Sequence, residues 1–252
     1  MKKMIVLSLA ILMLTAGRGL AETTAELFSS ANDKYEQADW SGAIAGYEKI
    51  LSSGKKSPNI YYNLAGAYFK SGNLGKAILN YERALALDPR DADIRANYRF
   101  ARSDIKAKVV PEKGVWNWTP LRVYERTLSV DQMTIVASVS MIVILVLLAI
   151  GVTGRMVTRY HRTILICFSI ILVFNVFLAW HKAVNERTSA IVMVPAVEAL
   201  YGPFDSATKF FTLNEGMKVN IINSKDGWVR ARRSDGKSAW IKDSAVERVL
   251  KK

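Results

Sequence analysis

The chain has 252 residues, of which 50% are apolar, and this fraction is high for a protein that is soluble throughout. Its formal net charge of +13 suits nucleic acid, an anionic membrane surface or charges that flank apolar spans. A single cysteine, Cys167, excludes an intramolecular disulfide framework and a cysteine-based metal site.

The first segment has the pattern of an export signal. Two lysines precede an apolar run at residues 4–15, and Gly19 and Ala21 place small side chains where a signal peptidase needs them. The run is too short to span a bilayer comfortably. We therefore predict a signal peptide over residues 1–21, with an uncleaved anchor as the alternative.

A helical repeat follows the signal. Its bulky and small residues lie at the spacing that lets two antiparallel helices pack closely: Tyr61, Leu64, Ala65, Tyr68, Ala77, Tyr81, Ala84 and Pro89. One repeat period earlier, about 34 residues, four residues match: Leu27, Ala31, Ala43 and Tyr47. This first copy is weaker, because Lys34 replaces the expected Tyr and Ile50 the late Ala. Both copies resemble tetratricopeptide repeats, which implies two helix pairs.

Two repeats cannot bury their outer face alone, so a terminal capping helix is expected. Residues 91–106 have helical periodicity, with Asp91 or Asp93 near the N-terminus of the helix. A basic stripe on this helix is either solvated or contacts anionic headgroups or an acidic partner: Arg95, Arg99 and Arg102. We place the repeat domain, with its cap, at residues 22–107.

The middle of the chain predicts a membrane hairpin. Residues 108–131 mix aromatic, apolar and charged side chains, which is typical of an interfacial connector, and Ser129 is predicted to cap the next helix. Two stretches suit membrane-spanning helices by length and composition, residues 132–153 and residues 163–181. Asn175 is the only strongly polar residue at depth, and we expect it to form a hydrogen bond between the two spans.

Charge asymmetry predicts how the hairpin is oriented. The loop at residues 154–162 carries three arginines and no acid, whereas Lys182 and Arg187 after the second span are partly offset by Glu186. The positive-inside rule then places the loop in the cytoplasm. We predict a two-pass protein of the bacterial inner (cytoplasmic) membrane, with both soluble parts in the periplasm.

The C-terminal part, residues 188–252, is rich in alternating apolar residues. Asp226-Gly227 and Asp235-Gly236 are hairpin signals between predicted strands, and five short strands suit a small closed barrel. A long loop, a Leu-x-Glu-Gly step at residues 213–216 and later Asp-Gly-Trp and Gly-x-x-x-Trp-Ile motifs resemble bacterial SH3-like (SH3b) domains. The predicted fold class is thus multidomain: all-α repeats, a two-helix transmembrane hairpin and an all-β SH3-like barrel.

Aromatic residues of this barrel are candidates for binding. We assign three of them to the long loop, where recognition residues often lie: Tyr201, Phe204 and Phe211. Trp228 and Trp240 are expected in the core or at the barrel rim. Basic residues around the second hairpin are interpreted as charges on a solvated edge strand, or as a site for an acidic cell-wall polymer: Arg230, Arg232, Arg233 and Lys237.

No pattern of catalytic residues is present in the sequence. The two histidines, His161 and His181, flank the predicted spans, and Cys167 lies inside one of them. No phosphate-binding loop or metal-ligand motif is found. We predict a protein that is not an enzyme and needs no cofactor; nucleic acid is not an expected partner, because the basic residues are spread over segments predicted outside the cytoplasm.

The order of signal, repeats, membrane hairpin and SH3b module resembles BatE-type proteins of the Bacteroides aerotolerance (Bat) group. The resemblance implies an assembly role in envelope stress tolerance or aerotolerance. It also implies partners in the envelope membrane, such as von Willebrand factor A-type Bat proteins, and a MoxR-type ATPase.

Two binding hypotheses follow. In the first, the concave face of the repeats binds a protein partner through the usual groove positions of the tetratricopeptide family: Phe28, Asn32, Tyr35, Tyr62, Phe69 and Lys70. The Lys and Asn pairs that clamp a C-terminal carboxylate in some members are not matched, so the ligand type stays open. In the second, the SH3b module binds peptidoglycan and the repeats act as a spacer.

Overall fold

The computed structural model describes residues 23–106, 123–125, 127–152 and 159–250. The chain forms two compact units, Met1–Lys56 and Ser57–Lys252. The predicted signal peptide lies outside the described residues, and so do most of the predicted connector and part of the predicted cytoplasmic loop.

The first unit contains one helix pair, α1 (Thr24–Glu36) and α2 (Trp40–Ser52). Thr23 starts α1 with a capping box, because its hydroxyl accepts from the Glu26 amide at 3.2 Å and the Glu26 carboxylate accepts from the Thr23 amide at 2.7 Å. Three predicted signature residues are fully buried in this unit: Ala31, Ala43 and Tyr47. The predicted first repeat is therefore present as a helix pair.

The second unit begins with α3 (Pro58–Lys70), α4 (Leu74–Leu87) and α5 (Ala92–Ser103). Gly72 has a φ of +81° in the turn between α3 and α4, a conformation that glycine adopts without steric cost. The predicted small residues have no exposed surface: Ala65, Ala77 and Ala84. Asp91 caps α5 by accepting from the Asp93 and Ile94 amides, both at 2.9 Å, which confirms the predicted capping helix.

Two long apolar helices follow, α6 (Val130–Val152) and α7 (Arg159–Thr188), and by length and composition both could cross a membrane. Ser129 is the N-cap of α6, as predicted, because its hydroxyl accepts from the Gln132 amide at 3.2 Å. Much of the surface of both helices is formed by exposed large apolar side chains, including Ile135, Ile142, Ile170 and Val173. Such a continuous apolar surface suits lipid rather than water.

Helix α7 extends beyond the predicted end of the second span at residue 181. It continues to Thr188, and strand β1 begins at the next residue. Lys182 and Glu186 lie one turn apart with their charged atoms 3.8 Å from each other, a spacing that supports helix. Apolar composition therefore marks the apolar part of α7 but not where the helix ends.

Asn175 does not bond to the other span, so this prediction is wrong. Its side-chain amide instead donates to the Tyr124 hydroxyl, which belongs to the chain before α6. Asn175 is 3% exposed, and the amphipathic tyrosine reaches it with its polar end. The bond ties α7 to the segment that leads into α6.

The C-terminal part is one antiparallel sheet of seven strands, not five. They are β1 (Ser189–Val192), β2 (Ala196–Leu200), β3 (Lys209–Asn214), β4 (Lys218–Lys225), β5 (Trp228–Arg232), β6 (Ser238–Lys242) and β7 (Val246–Arg248). The strand order is β3-β2-β6-β5-β4-β1-β7. The additional strands β2 and β3 occupy most of the predicted long loop. Their alternation was obscured by adjacent apolar residues such as Phe210 and Phe211.

The core of this SH3-like barrel is built from small and branched side chains. Strands β1 to β6 all contribute to one buried cluster, and Ile105, which follows α5, inserts into it. Trp228 and Trp240 are half-buried and lie outside that cluster. They therefore occupy the rim, and the alternative that placed them in the core is wrong because alanines, valines and isoleucines already fill it.

Candidate functional site

Arg83 of α4 joins the second repeat to the barrel. Its Nε donates to the Val249 carbonyl at 2.8 Å, and its Nη2 donates to the Arg248 carbonyl at 3.2 Å and to the Glu247 carboxylate at 2.9 Å. The Arg83 side chain is only 12% exposed. A planar guanidinium fixes several acceptors at once, so the barrel has a defined position on α4.

Glu82, the next residue of α4, forms a second polar link. Its carboxylate pairs with the Lys218 ammonium of β4 at 2.8 Å and accepts a hydrogen bond from the Tyr98 hydroxyl of α5. Burial would raise the pKa of Glu82, but Lys218, Tyr98 and the nearby Arg102 outweigh it and lower that pKa. Burial and the Glu82 carboxylate raise the pKa of Tyr98 well above its ordinary value. The carboxylate is thus held ionised at the junction.

Two glycines allow the close approach at this junction. The Gly75 amide donates to the Glu215 carboxylate at 2.8 Å, and a Cβ at Gly75 would lie 2.9 Å from the Val192 carbonyl. Gly216 has a φ of +79°, and a Cβ there would lie 3.3 Å from the Ile105 side chain and 3.4 Å from that of Ile78. The second repeat and the barrel are therefore packed together as one body. The barrel begins directly after the end of α7.

The three groove residues predicted in the first unit all contact the second helix of their own pair. Phe28 packs on Tyr47 with ring centroids 5.9 Å apart, and the Asn32 side-chain carbonyl accepts from the Tyr47 hydroxyl at 2.6 Å. Tyr35 packs edge-on against Trp40 at 5.0 Å. Their exposed fractions are intermediate, so each leaves part of its side chain available.

Of the groove residues predicted in the second unit, Tyr62 and Phe69 contact the capping helix. The Asn97 side-chain amide donates to the Tyr62 hydroxyl at 2.7 Å, and Phe69 packs on Phe100 with ring centroids 5.6 Å apart. Phe100 remains 61% exposed, and Lys70 is exposed as well. Phe100 was missed by the sequence analysis, although its position three residues after Asn97 places it on the same helix face. We call Tyr62, Phe69, Lys70 and Phe100 the groove surface.

A second aromatic surface lies on the barrel. Tyr201 stacks on Phe210 with ring centroids 4.5 Å apart and an interplanar angle of 26°. Tyr201 and Phe204 are 62% and 54% exposed. Phe210 was missed in the sequence, yet the two-residue period of β3 would have placed it opposite Phe211. We call Tyr201, Phe204 and Phe210 the aromatic face.

Phe211 does not belong to that face, so its assignment to a loop is wrong. It lies in β3, packs against the barrel core and is covered by the Arg233 guanidinium 4.7 Å above its ring. Strand alternation turns one of two adjacent aromatics outward and the other inward. Phe211 therefore contributes to the packing of the barrel core.

The basic hairpin between β5 and β6 is not an edge of the sheet. Both strands lie in its interior, because β2 pairs with β6 and β4 with β5. Arg233 forms a two-pronged pair with Asp235, at 3.1 and 2.5 Å, inside the turn. The hydrogen bond from Arg233 lowers the pKa of Asp235 from 3.8 to about 2. The interpretation as edge-strand charges is wrong. The order of strands in the sheet decides which strands lie at its edge, and charged residues alone do not show that order.

The basic stripe of the capping helix lines a cavity of about 600 Å³. The other walls are α4, the end of α7 and the barrel strands β4 and β5. Seven basic residues around it define what we call the cationic cavity: Arg95, Arg99, Arg102, Lys182, Lys218, Arg232 and Arg233. The stripe is therefore one wall of a concave site and not an isolated solvated face.

Comparison with known protein families matches two parts of the chain. Residues 58–91 match the tetratricopeptide repeat family, and residues 196–247 match the bacterial SH3 domain family. No curated protein gives a significant match. Within the described residues, no group of three or more His, Cys, Asp or Glu side chains could hold a metal ion. Both modules are typically non-catalytic and bind proteins or cell wall, and with the two apolar helices they indicate a membrane-associated envelope protein.

Proposed function

We propose that this protein is a non-enzymatic scaffold, anchored in the bacterial inner membrane by α6 and α7, with both soluble modules in the periplasm. The arginines of the loop between the helices support this orientation through the positive-inside rule. The docking of the barrel on the second repeat supports it too, since both modules must then lie on one side of the membrane.

The junction centred on Arg83 is the observation that carries the proposal. It fixes a repeat and a barrel in one body, so the groove surface and the aromatic face keep a constant separation. A scaffold needs this property, because two partners bound to a rigid body are held in a defined geometry. The order of modules supports a BatE-type role in aerotolerance, beside von Willebrand factor A-type membrane partners.

Protein partners would bind the repeats. The groove surface offers the exposed ring of Phe100 and the partly exposed rings of Tyr62 and Phe69, together with the exposed Lys70. Aromatic side chains contribute strongly to protein interfaces. In the first helix pair, the partly exposed Phe28, Asn32 and Tyr35 remain the proposed contacts.

Binding to peptidoglycan through the SH3b module is the second candidate. The stacked rings of Tyr201 and Phe210 favour it, because an exposed flat aromatic surface can cover the apolar face of a sugar ring. On this alternative the repeats would act as a spacer.

One experiment with two readouts separates the candidates. The full chain is compared with Y62A/F69A, with Y201A/F210A, and with L87A and I222A as controls that shorten exposed apolar residues elsewhere. Copurifying envelope proteins are quantified from detergent extract, and binding to isolated cell wall is measured by sedimentation.

The scaffold proposal expects Y62A/F69A to lose copurifying proteins by about tenfold or more, as when interface aromatics are truncated. If wall binding is lost in Y201A/F210A while Y62A/F69A keeps every copurifying protein, the cell-wall function replaces it. Thermal unfolding of each variant checks that the fold is intact.

A further inference from the structure

The cationic cavity has a strong excess of positive charge. Seven lysine or arginine side chains line it against three glutamates. All three glutamates already have partners: Glu82 pairs with Lys218 at 2.8 Å, Glu186 with Lys182 at 3.8 Å, and the Glu125 carboxylate lies 2.9 Å from Nδ1 of His181. The acids of the cavity are therefore not available to the remaining arginines.

Three of these arginines have no ion pair among the residues that the structure describes: Arg95, Arg99 and Arg232. All three are exposed and lie on two different elements, α5 and β5. Cations brought together across a cavity repel one another unless an anion neutralises them. The arrangement therefore favours an anionic ligand, and guanidinium groups suit the oxygens of a phosphate.

The depth of the cavity relative to the membrane indicates the source of the phosphate. Trp180, 62% exposed, lies at the end of the apolar part of α7, where tryptophan marks the membrane interface. Lys182 and Glu186 line the cavity and lie about 3 and 9 Å further along the helix. The headgroup layer on each side of a bilayer is about 5–8 Å thick. The cavity thus begins at the level of the lipid headgroups.

Part of the remaining wall is apolar, beside polar residues such as Ser189, Asn220 and Ser234. Leu85, Ala86 and Pro89 from α4 and its C-terminal end, with Val219 and Val249 from the barrel, line the same space. A free phosphate ion gains nothing from such walls, whereas the glycerol and upper acyl carbons of a phospholipid can cover them.

We propose that the cationic cavity binds the headgroup of an anionic phospholipid, with Arg95, Arg99 and Arg232 contacting its phosphate. The phosphate of the bound lipid would neutralise positive charge at the junction between the second repeat, the barrel and the end of α7. The inference needs the hairpin to lie in a bilayer but does not depend on the identity of any partner.

The test uses the full chain in nanodiscs that contain phosphatidylcholine and phosphatidylglycerol. Lipids retained after mild release are identified by native mass spectrometry. The variant R95Q/R99Q/R232Q is compared with K55Q/K225Q/R230Q, which removes the same charge from exposed positions outside the cavity. Thermal unfolding checks both variants, and the single variants R95Q and R232Q are used if the triple variant is unfolded.

We expect wild type and the control variant to retain phosphatidylglycerol in preference to phosphatidylcholine. The cavity variant should lose this retention by about tenfold or more, since each basic residue near a membrane surface favours anionic lipid. Equal retention by the two triple variants would contradict the proposal. Displacement of the lipid by excess inorganic phosphate, or by an acidic peptide, would contradict it too and would identify a soluble anion or a protein as the ligand. Loss of lipid with unchanged copurifying proteins leaves the scaffold proposal intact.

Discussion

Asp235 determines the conformation of the turn between β5 and β6. Its carboxylate accepts two hydrogen bonds from Arg233 and one, at 3.2 Å, from the Lys237 amide. The Asp235 side chain is 13% exposed. Arg233 in turn covers Phe211 and so shields the barrel core.

The substitution D235N should lower the free energy of unfolding of the barrel by about 1–2 kcal/mol, because it removes a charge-assisted hydrogen-bonded pair. The neutral amide keeps an acceptor for the Lys237 amide. Asp205 provides the control, because its side chain is 79% exposed, and D205N should change the stability by less than about 0.5 kcal/mol. Urea unfolding at neutral pH measures the difference.

The pH dependence of this effect follows from the direction of the pKa shift. The pKa of Asp235 is lowered from 3.8 to about 2 in the fold, so its stabilisation is present above the unfolded value and is lost as the pH falls through the folded one. The difference between wild type and D235N should therefore shrink as the pH falls from 4 towards 2. A difference that stays constant over this range would contradict the assignment.

At the scale of elements, α4 has two functions that the sequence showed only in part. One face packs on α3 through Ala77, Ala84 and Tyr81, and the repeat pattern predicted it. The other face carries Glu82 and Arg83 to the barrel. A surface helix with this second polar face normally turns it to water.

The substitution R83A should destabilise the second unit by about 2–3 kcal/mol, because two backbone carbonyls and the Glu247 carboxylate lose their donor. R83K should recover only part of this, since an ammonium cannot reproduce the fork of a guanidinium. Thermal unfolding of the full chain in detergent, with R230A as an exposed-arginine control, measures the effect. If R83A and R230A unfold alike, the junction does not hold the modules together.

Local patterns account for what the sequence could predict. The helix pairs, the capping helix, both apolar helices and the two hairpins follow from spacing, caps and turn residues within short segments. The junction could not be predicted, because Arg83 and Val249 are 166 residues apart and nothing in either segment indicates the other. The hydrogen bond between Asn175 and Tyr124 could not be predicted either, because the two residues are 51 positions apart in the chain. Of the barrel residues, Phe210 was predictable once β3 was known to be a strand. The cationic cavity was not, because it needs α4, α5, the end of α7 and the barrel strands β4 and β5 to be in place.

At the scale of the molecule, the hairpin α6–α7 and the Arg83 junction together fix the positions of the barrel and the second repeat. Helix α7 runs directly into β1, and the Ser189 hydroxyl donates to the Asn185 carbonyl at 2.7 Å. No linker therefore separates the barrel from α7. The second repeat is docked on that barrel. In the proposed membrane arrangement, repeat and barrel would be held close to the membrane surface and on the same side of it.

The most direct test of this account is the labelling of single cysteines in a C167A background. Ser71, after α3, and Ser224, in β4, are exposed and report on the repeat and the barrel, and Thr158 reports on the loop between the spans. In cells with a permeabilised outer membrane, we expect S71C and S224C to react with an impermeant thiol reagent and T158C to react only after lysis. Labelling of T158C before the cells are lysed, or labelling of only one of S71C and S224C, would contradict a scaffold whose two modules face the periplasm together.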